Sequence, residues 1–202
     1  MNNQAERHRT RIQTVLSENT YPHQREAAQR TFAHFEQGAK AVIISAEMQS
    51  GKSGIALAMA CLQRKSLSDF DICQRSLLKD TLYLVTMADI ALLEQAKSDL
   101  DKSPNVVVSN FTRFRQALAA QFKYQSPKLI IIDECHYGSA ADAVRYGLVF
   151  DYIENENPEC KIAFVSATPF SALYAAGNDS ILRHNFHTRL VFHKTSKEYQ
   201  GI

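Results

Sequence analysis

Lys40-Ala-Val-Ile-Ile-Ser-Ala46-Glu-Met-Gln-Ser-Gly51-Lys52-Ser53 reads as a short β-branched run, then a polar turn containing glycine, then the opening of a helical pattern that continues to about Arg64. A buried strand feeding a helix through a glycine turn is the unit from which parallel α/β sheets are built. The turn itself carries chemistry. Main-chain N–H groups at a helix N-terminus surround an anion. Lys52 adds a cation, the Ser53 hydroxyl suits a hard divalent metal, and Gly51 allows close approach of the backbone, with Ser50 completing the loop. The strict pattern for such a phosphate loop begins with Gly, where this chain has Ala46, and Ser-Gly-Lys-Ser also occurs in ordinary turns; the preceding apolar strand favours the phosphate reading.

The same alternation recurs downstream. Thr81–Thr86, Asn105–Ser109, Lys128–Asp133, Lys161–Ser166 and Thr188–Phe192 read as further strands. Helical patterns follow at Ala91–Leu100, Phe111–Phe122 and Ala140–Ile153. Upstream lie a modest amphipathic helix over Gln4–Glu18 and a second from His23 to Gln37, stopped by Gly38. Strands apolar on both faces and separated by helices predict an α/β fold, a single parallel sheet covered on each side. The polar stretch Lys65–Asp80 and the turn at Gly177–Ser180 read as surface insertions, and there is no internal repeat or low-complexity segment.

The chain has 202 residues, 45% hydrophobic and 22% charged, with a formal net charge of +2. That length suits one globular domain, and so small a net charge leaves any nucleic-acid contact to a local groove. No run approaches the roughly 18 apolar residues of a membrane span. The N-terminus lacks the apolar region of a secretory signal, and Glu6 and Glu18 argue against a transit peptide, so a cytoplasmic location is expected. Cys61, Cys73, Cys135 and Cys160 form no C-x-x-C pair and read as reduced thiols. His184, His187 and His193 lack a Cys or acidic partner at ligand spacing and read as surface histidines.

A second element with chemistry is Leu129-Ile-Ile-Ile-Asp133-Glu134-Cys135-His136, in which an apolar strand ends in two adjacent carboxylates. Such a strand delivers acids to the carboxyl edge of a parallel sheet, where ligands of open α/β folds bind. Asp133 suits Mg²⁺, and Glu134 suits orientation or deprotonation of an attacking water. Taken alone, the pair also fits an N-cap Asp with a Glu in the first helical turn.

Gly51-Lys52-Ser53, Asp133-Glu134-Cys135-His136 and Ser166-Ala167-Thr168, in that order and spacing, resemble the N-terminal RecA-like motor domain of superfamily 2 helicases and translocases, the DEAD/DEAH-like group, in its DECH-box form. The likeness covers nearly the whole chain. It implies ATP and Mg²⁺ as cofactors, with Ser53 and Asp133 at the metal and Lys52, Asp133 and Glu134 catalytic. His136, Ser166 and Thr168 would couple nucleotide state to domain closure. Tyr21-Pro22-His23-Gln24-Arg25 is similar to the family's glutamine motif, which makes Gln24 the adenine reader. Thr86-Met87 resembles the backbone-contacting motif Ia, with Met87 where the family has Pro. Val108–Arg113 resembles motif Ib, with Asn110 where the family often has Thr. Thr86, Asn110 and Arg113 are thus the candidate nucleic-acid contacts.

By the same likeness, residues 1–20 form a leading helix, 21–193 the helicase ATP-binding domain and 194–202 a tail or linker. DNA or RNA is the expected partner, with a second RecA-like domain or partner chain completing the site and no membrane. A complete two-domain motor needs about twice this length. The expected function is an ATP-binding motor domain of a nucleic-acid-dependent ATPase, weak or inactive by itself. A stand-alone ATP-binding regulatory or interaction module and a degenerate domain are the alternatives. The DECH form and the run Ser166–Phe170 are also similar to helicase-like subunits of restriction or phage-defence systems and to phage helicases.

Overall fold

Six strands, β1 (Ala41–Ala46), β2 (Thr81–Val85), β3 (Val106–Asn110), β4 (Leu129–Asp133), β5 (Lys161–Ser166) and β6 (Arg189–His193), form one sheet in the order β3-β2-β4-β5-β1-β6. Every neighbouring pair is parallel. The computed structural model of the protein describes residues 2–47, 50–74, 79–86, 89–133, 140–167 and 184–194. Among these lie helices α1 (Asn2–Asn19), α2 (Pro22–Glu36), α3 (Lys52–Lys65), α4 (Asp69–Gln74), α5 (Ile90–Leu100), α6 (Phe114–Gln121) and α7 (Ala140–Asp151). This is the α/β arrangement expected, a single parallel sheet with helices on both faces.

Side-chain alternation along the strands sorts the core into two layers. Val42, Ile44, Tyr83, Val85, Ile131 and Val165 pack under α2, α3 and α5. Ile43, Leu82, Leu84, Ile130, Ile132 and Phe164 pack under α6 and α7. In β4, Leu129, Ile130, Ile131 and Ile132 are each at most 1% exposed. At about 1.5–3 kcal/mol per buried aliphatic side chain, these four explain why the central strand tolerates a carboxylate at its end.

Lys65–Asp80, expected to be an insertion, contains the short helix α4, which packs on α1 and buries Ile72. At the N-terminal ends of the strands, Asp80 is fully buried. It bonds Arg64 Nη1 at 3.1 Å, Asn105 Nδ2 at 2.6 Å and the Thr81 hydroxyl at 2.9 Å. Burial raises its carboxyl above the usual range, against the lowering pull of Asn105 and Arg64. No described helix is long and apolar enough to cross a membrane.

Candidate nucleotide site at the carboxyl edge of the sheet

The order β4-β5-β1 brings three strand ends side by side. Ser45 lies in register with Ser166, and Asp133 with Val165. The turn after β1 closes with Ser50 N donating to Glu47 O at 3.1 Å. Gly51 sits in the left-handed region at φ 72° and ψ 50°, a conformation costing a residue with a Cβ about 1–2 kcal/mol. Its carbonyl accepts from Gly54 N at 2.9 Å and Ile55 N at 3.2 Å, which starts α3. Lys52 and Ser53 occupy the first two positions of that helix, where the partial positive charge of its terminus is concentrated. Ser50 is fully buried, and its hydroxyl has no hydrogen-bond partner among the described residues.

Pro22 opens α2 at the position where its missing N–H costs nothing, and this places Gln24 against the turn after β1. Gln24 Nε2 donates to Gly51 O at 3.0 Å, while its Oε1 accepts from Tyr21 N at 2.9 Å. A primary amide has two donors and two acceptor sites, so one of each remains. Gly54 was missed by motif reading. A Cβ on it would lie 2.2 Å from Gln24 Oε1, so glycine is what admits the amide.

At the end of β4, Thr86 is buried and its hydroxyl donates to the Asp133 main-chain carbonyl at 3.0 Å. Tyr83, in β2, is a further residue that no motif indicated. Its ring is buried on the same sheet face, and it lines one cavity with Asp133, whose carboxylate acts electrostatically on the Tyr83 hydroxyl. Burial first, then the charges of Asp133 and Asp99, push that hydroxyl well above its ordinary value of 10, so it stays protonated. Ser53, Tyr83, Thr86, Asp99 and Asp133 line one cavity of 130 Å³. The oxygen donors of a hydroxyl and a carboxylate facing one space are chemically suited to Mg²⁺.

Ser166 ends β5, fully buried between the other two strand ends. Glu134, His136 and Thr168 lie outside the described residues. On the β3 side, Asn110 is in register with Val85. Its side chain caps the following 3-10 turn, accepting from Arg113 N at 3.1 Å and from the Thr112 hydroxyl. The Arg113 side chain is exposed at the same edge of the sheet.

Beside Gln24, His23 stacks on His193 with ring centroids 5.2 Å apart, and Tyr21 stacks on His23 at 5.8 Å. His193 is 6% exposed, which corrects its reading as a surface histidine. Alternation along β6 puts it on the face of Val191, toward α2. His184 is likewise drawn inward, stacked on Phe186 and bonded to Glu154 at 2.8 Å. Burial, and then His23, hold the His193 imidazole below its ordinary 6.5.

Residues 17–171 match a family model described as type III restriction enzyme, res subunit. Among solved structures, the crystal structure of the Pyrococcus furiosus Hef helicase domain aligns with a TM-score of 0.48 at 13% identity, over 81% of this chain and 37% of that one. No curated protein matches the chain.

Proposed function

The chain belongs to the type III restriction enzyme res-subunit family, and from that premise we propose that it is the first motor domain of an ATP-dependent helicase or translocase acting on DNA or RNA. Supporting this reading above all is that Ser53, from the turn after β1, and Asp133, from the end of β4, line one cavity.

In the proposed site, the α3 N-terminus and Lys52 bind the ATP phosphates, and the buried Ser50 hydroxyl supplies a further donor. Ser53 and Asp133 hold Mg²⁺, which when bound neutralises charge on the β and γ phosphates. Gln24 presents its remaining donor and acceptor to the adenine edge, and Glu134 orients the attacking water. His136, Ser166 and Thr168 relay nucleotide state. Thr86 positions the Asp133 end of β4 and, together with Asn110 and Arg113, lies along the nucleic-acid backbone. Residues 1–20 act as a leading helix, 21–193 as the ATP-binding domain and 194–202 as a linker or tail. A second RecA-like domain contributes an arginine finger, worth about 10³–10⁵ in turnover.

The test is ATP hydrolysis by the purified chain, with and without single- and double-stranded DNA and RNA, using Lys52→Ala to subtract contaminating activity. Measurable Mg·ATP binding with slow turnover, raised by adding the second domain in trans, is the expected result. Absence of Mg·ATP binding in the folded chain would refute the assignment. Fast turnover accompanied by ATP-dependent self-association would instead favour the stand-alone module.

A further inference from the structure

At the opposite end of the sheet from the nucleotide site, α1 does not close completely on the domain. It is pinned on one side by Arg9, whose guanidinium bonds Asp69 at 2.5 Å and Leu67 O at 2.9 Å, and further along by Gln13, which accepts from Lys65 Nζ at 2.9 Å. Alongside these anchors the helix face at 8, 11, 12 and 15 roofs a cavity of 220 Å³, about seven water volumes. Its other walls come from the last turn of α3 and residues 102–105 before β3.

The charge on this cavity is one-sided. His8, Arg11, Arg64 and Lys102 line it, and no carboxylate is among its described lining residues; Asp80, which pairs with Arg64, lies behind the wall. His8, Arg11 and Lys102 make no hydrogen bond or ion pair among the described residues, although Arg9, two residues before Arg11, is fully engaged. At the base, Arg64 is 6% exposed. Its Nη1 is taken by Asp80, but Nη2 is buried without a hydrogen-bond partner. An unpartnered buried guanidinium nitrogen carries a desolvation cost, and Arg geometry matches phosphate oxygens. Ile12, Val15 and Pro104 give the remaining wall an apolar character.

We infer that this cavity is a binding site for a small phosphate monoester with a compact apolar body, separate from the nucleotide site. The phosphate engages Arg64, Arg11 and Lys102, and the apolar part rests on Ile12 and Val15. Arg64 and Lys52 stand twelve residues apart on the same helix, about 18 Å along its axis, so both ends of α3 are occupied by anions without competing for one space. The inference does not depend on the motor reading, because it uses none of the residues assigned to ATP.

The experiment is a titration of phenyl phosphate into the Lys52→Ala chain, which suppresses phosphate binding at the loop, followed by amide chemical-shift perturbation. Saturable shifts in α1, the end of α3 and residues 102–105, absent with neutral phenol, are expected. The doubly substituted Arg11→Gln, Lys102→Gln chain alters only exposed side chains, and its affinity is expected to fall at least tenfold with the fold unchanged. No saturation, an unchanged affinity in that variant, or equal binding of phenol would overturn the site. Displacement by Mg·ATP in the otherwise native chain would show that it is not separate. Displacement by a short 5′-phosphorylated single-stranded oligonucleotide would replace the small ligand with nucleic acid.

Discussion

Gln24 Nε2 reaches 3.0 Å across to the Gly51 carbonyl and so ties the first turn of α2 to the turn that opens α3. The carbonyl it reaches is the one that also starts α3, accepting from Gly54 and Ile55. Any group that moves Gln24 therefore loosens the geometry in which Lys52 and Ser53 are presented.

Gly54→Ala tests that tie without touching Gln24 itself. A Cβ would sit 2.2–2.5 Å from the Gln24 amide and must drive it off both Gly51 and Tyr21. Two hydrogen bonds at about 0.5–1.5 kcal/mol each are lost, while alanine gains at most about 1 kcal/mol over glycine in the first turn of α3. Net stability in urea should change little, yet Mg·ATP affinity should fall severalfold. Gln24→Ala, with no propensity gain, should lose both stability and affinity. If Gly54→Ala binds nucleotide as the native chain does, the tie has no role in the site.

Tyr83→Phe keeps the buried ring and removes the hydroxyl that shares a cavity, and interacts electrostatically, with Asp133. Groups that orient metal ligands are typically worth about 10–100-fold in metal affinity. If Asp133 holds Mg²⁺, the Mg²⁺ concentration for half-maximal nucleotide binding should rise by an amount in that range, with metal-free nucleotide binding unaltered. Because the Tyr83 hydroxyl stays protonated well above pH 10, the difference should persist at any neutral pH. An identical Mg²⁺ dependence in the two proteins would remove Tyr83 from the site.

The His23–His193 stack makes stability depend on pH in a definite direction. His193 titrates below its ordinary 6.5, through burial first and then His23, with Arg30 adding to the lowering and Glu26 and Glu47 opposing it. Between the lowered value and 6.5 the unfolded chain binds more protons than the folded one, so stability rises with pH through that window and is lost on acidification. Urea midpoints measured from about pH 7.5 down to about pH 5 should fall, and the fall should be shallower in His193→Phe, which preserves the stack but cannot titrate. Parallel curves would assign the acid sensitivity elsewhere.

The strands were legible because parallel strands buried on both faces must be nearly continuous apolar runs, and Leu129–Ile132 is such a run. The glycine turn at 51 and the acid at 133 were legible for the same reason, since each interrupts a pattern at the edge where chemistry belongs. The helix α4 was hidden by its six residues and a single buried side chain, Ile72. Its trace in the sequence is Ser68 three residues before Asp71, and Ser68 Oγ does accept from Asp71 N at 3.1 Å. Gly54 and Tyr83 were overlooked because their roles are defined by partners 30 and 50 positions away in the chain. The available hints were a glycine where a helix prefers alanine and a phenol inside an aliphatic strand. The inward face of His193 followed from period-two alternation with Val191, a signal weakened by the turn-rich sequence before β6.

Arg113 offers the sharpest test of the nucleic-acid face. Its side chain is exposed at the end of β3, whereas the Asn110 side chain is engaged in capping the turn that carries it. A residue that contacts a phosphate releases a condensed counterion, so its removal lowers the salt dependence as well as the affinity. In Arg113→Ala the slope of log affinity against log salt should fall by about 0.7–0.9, uniformly across sequences, with no change in urea stability. Asn110→Ala should in addition cost about 0.5–2 kcal/mol of stability through the lost cap, which separates its effect on binding from that of Arg113→Ala. An unchanged salt slope in Arg113→Ala would move the nucleic-acid path off the β3 end of the sheet, whatever happens to the affinity.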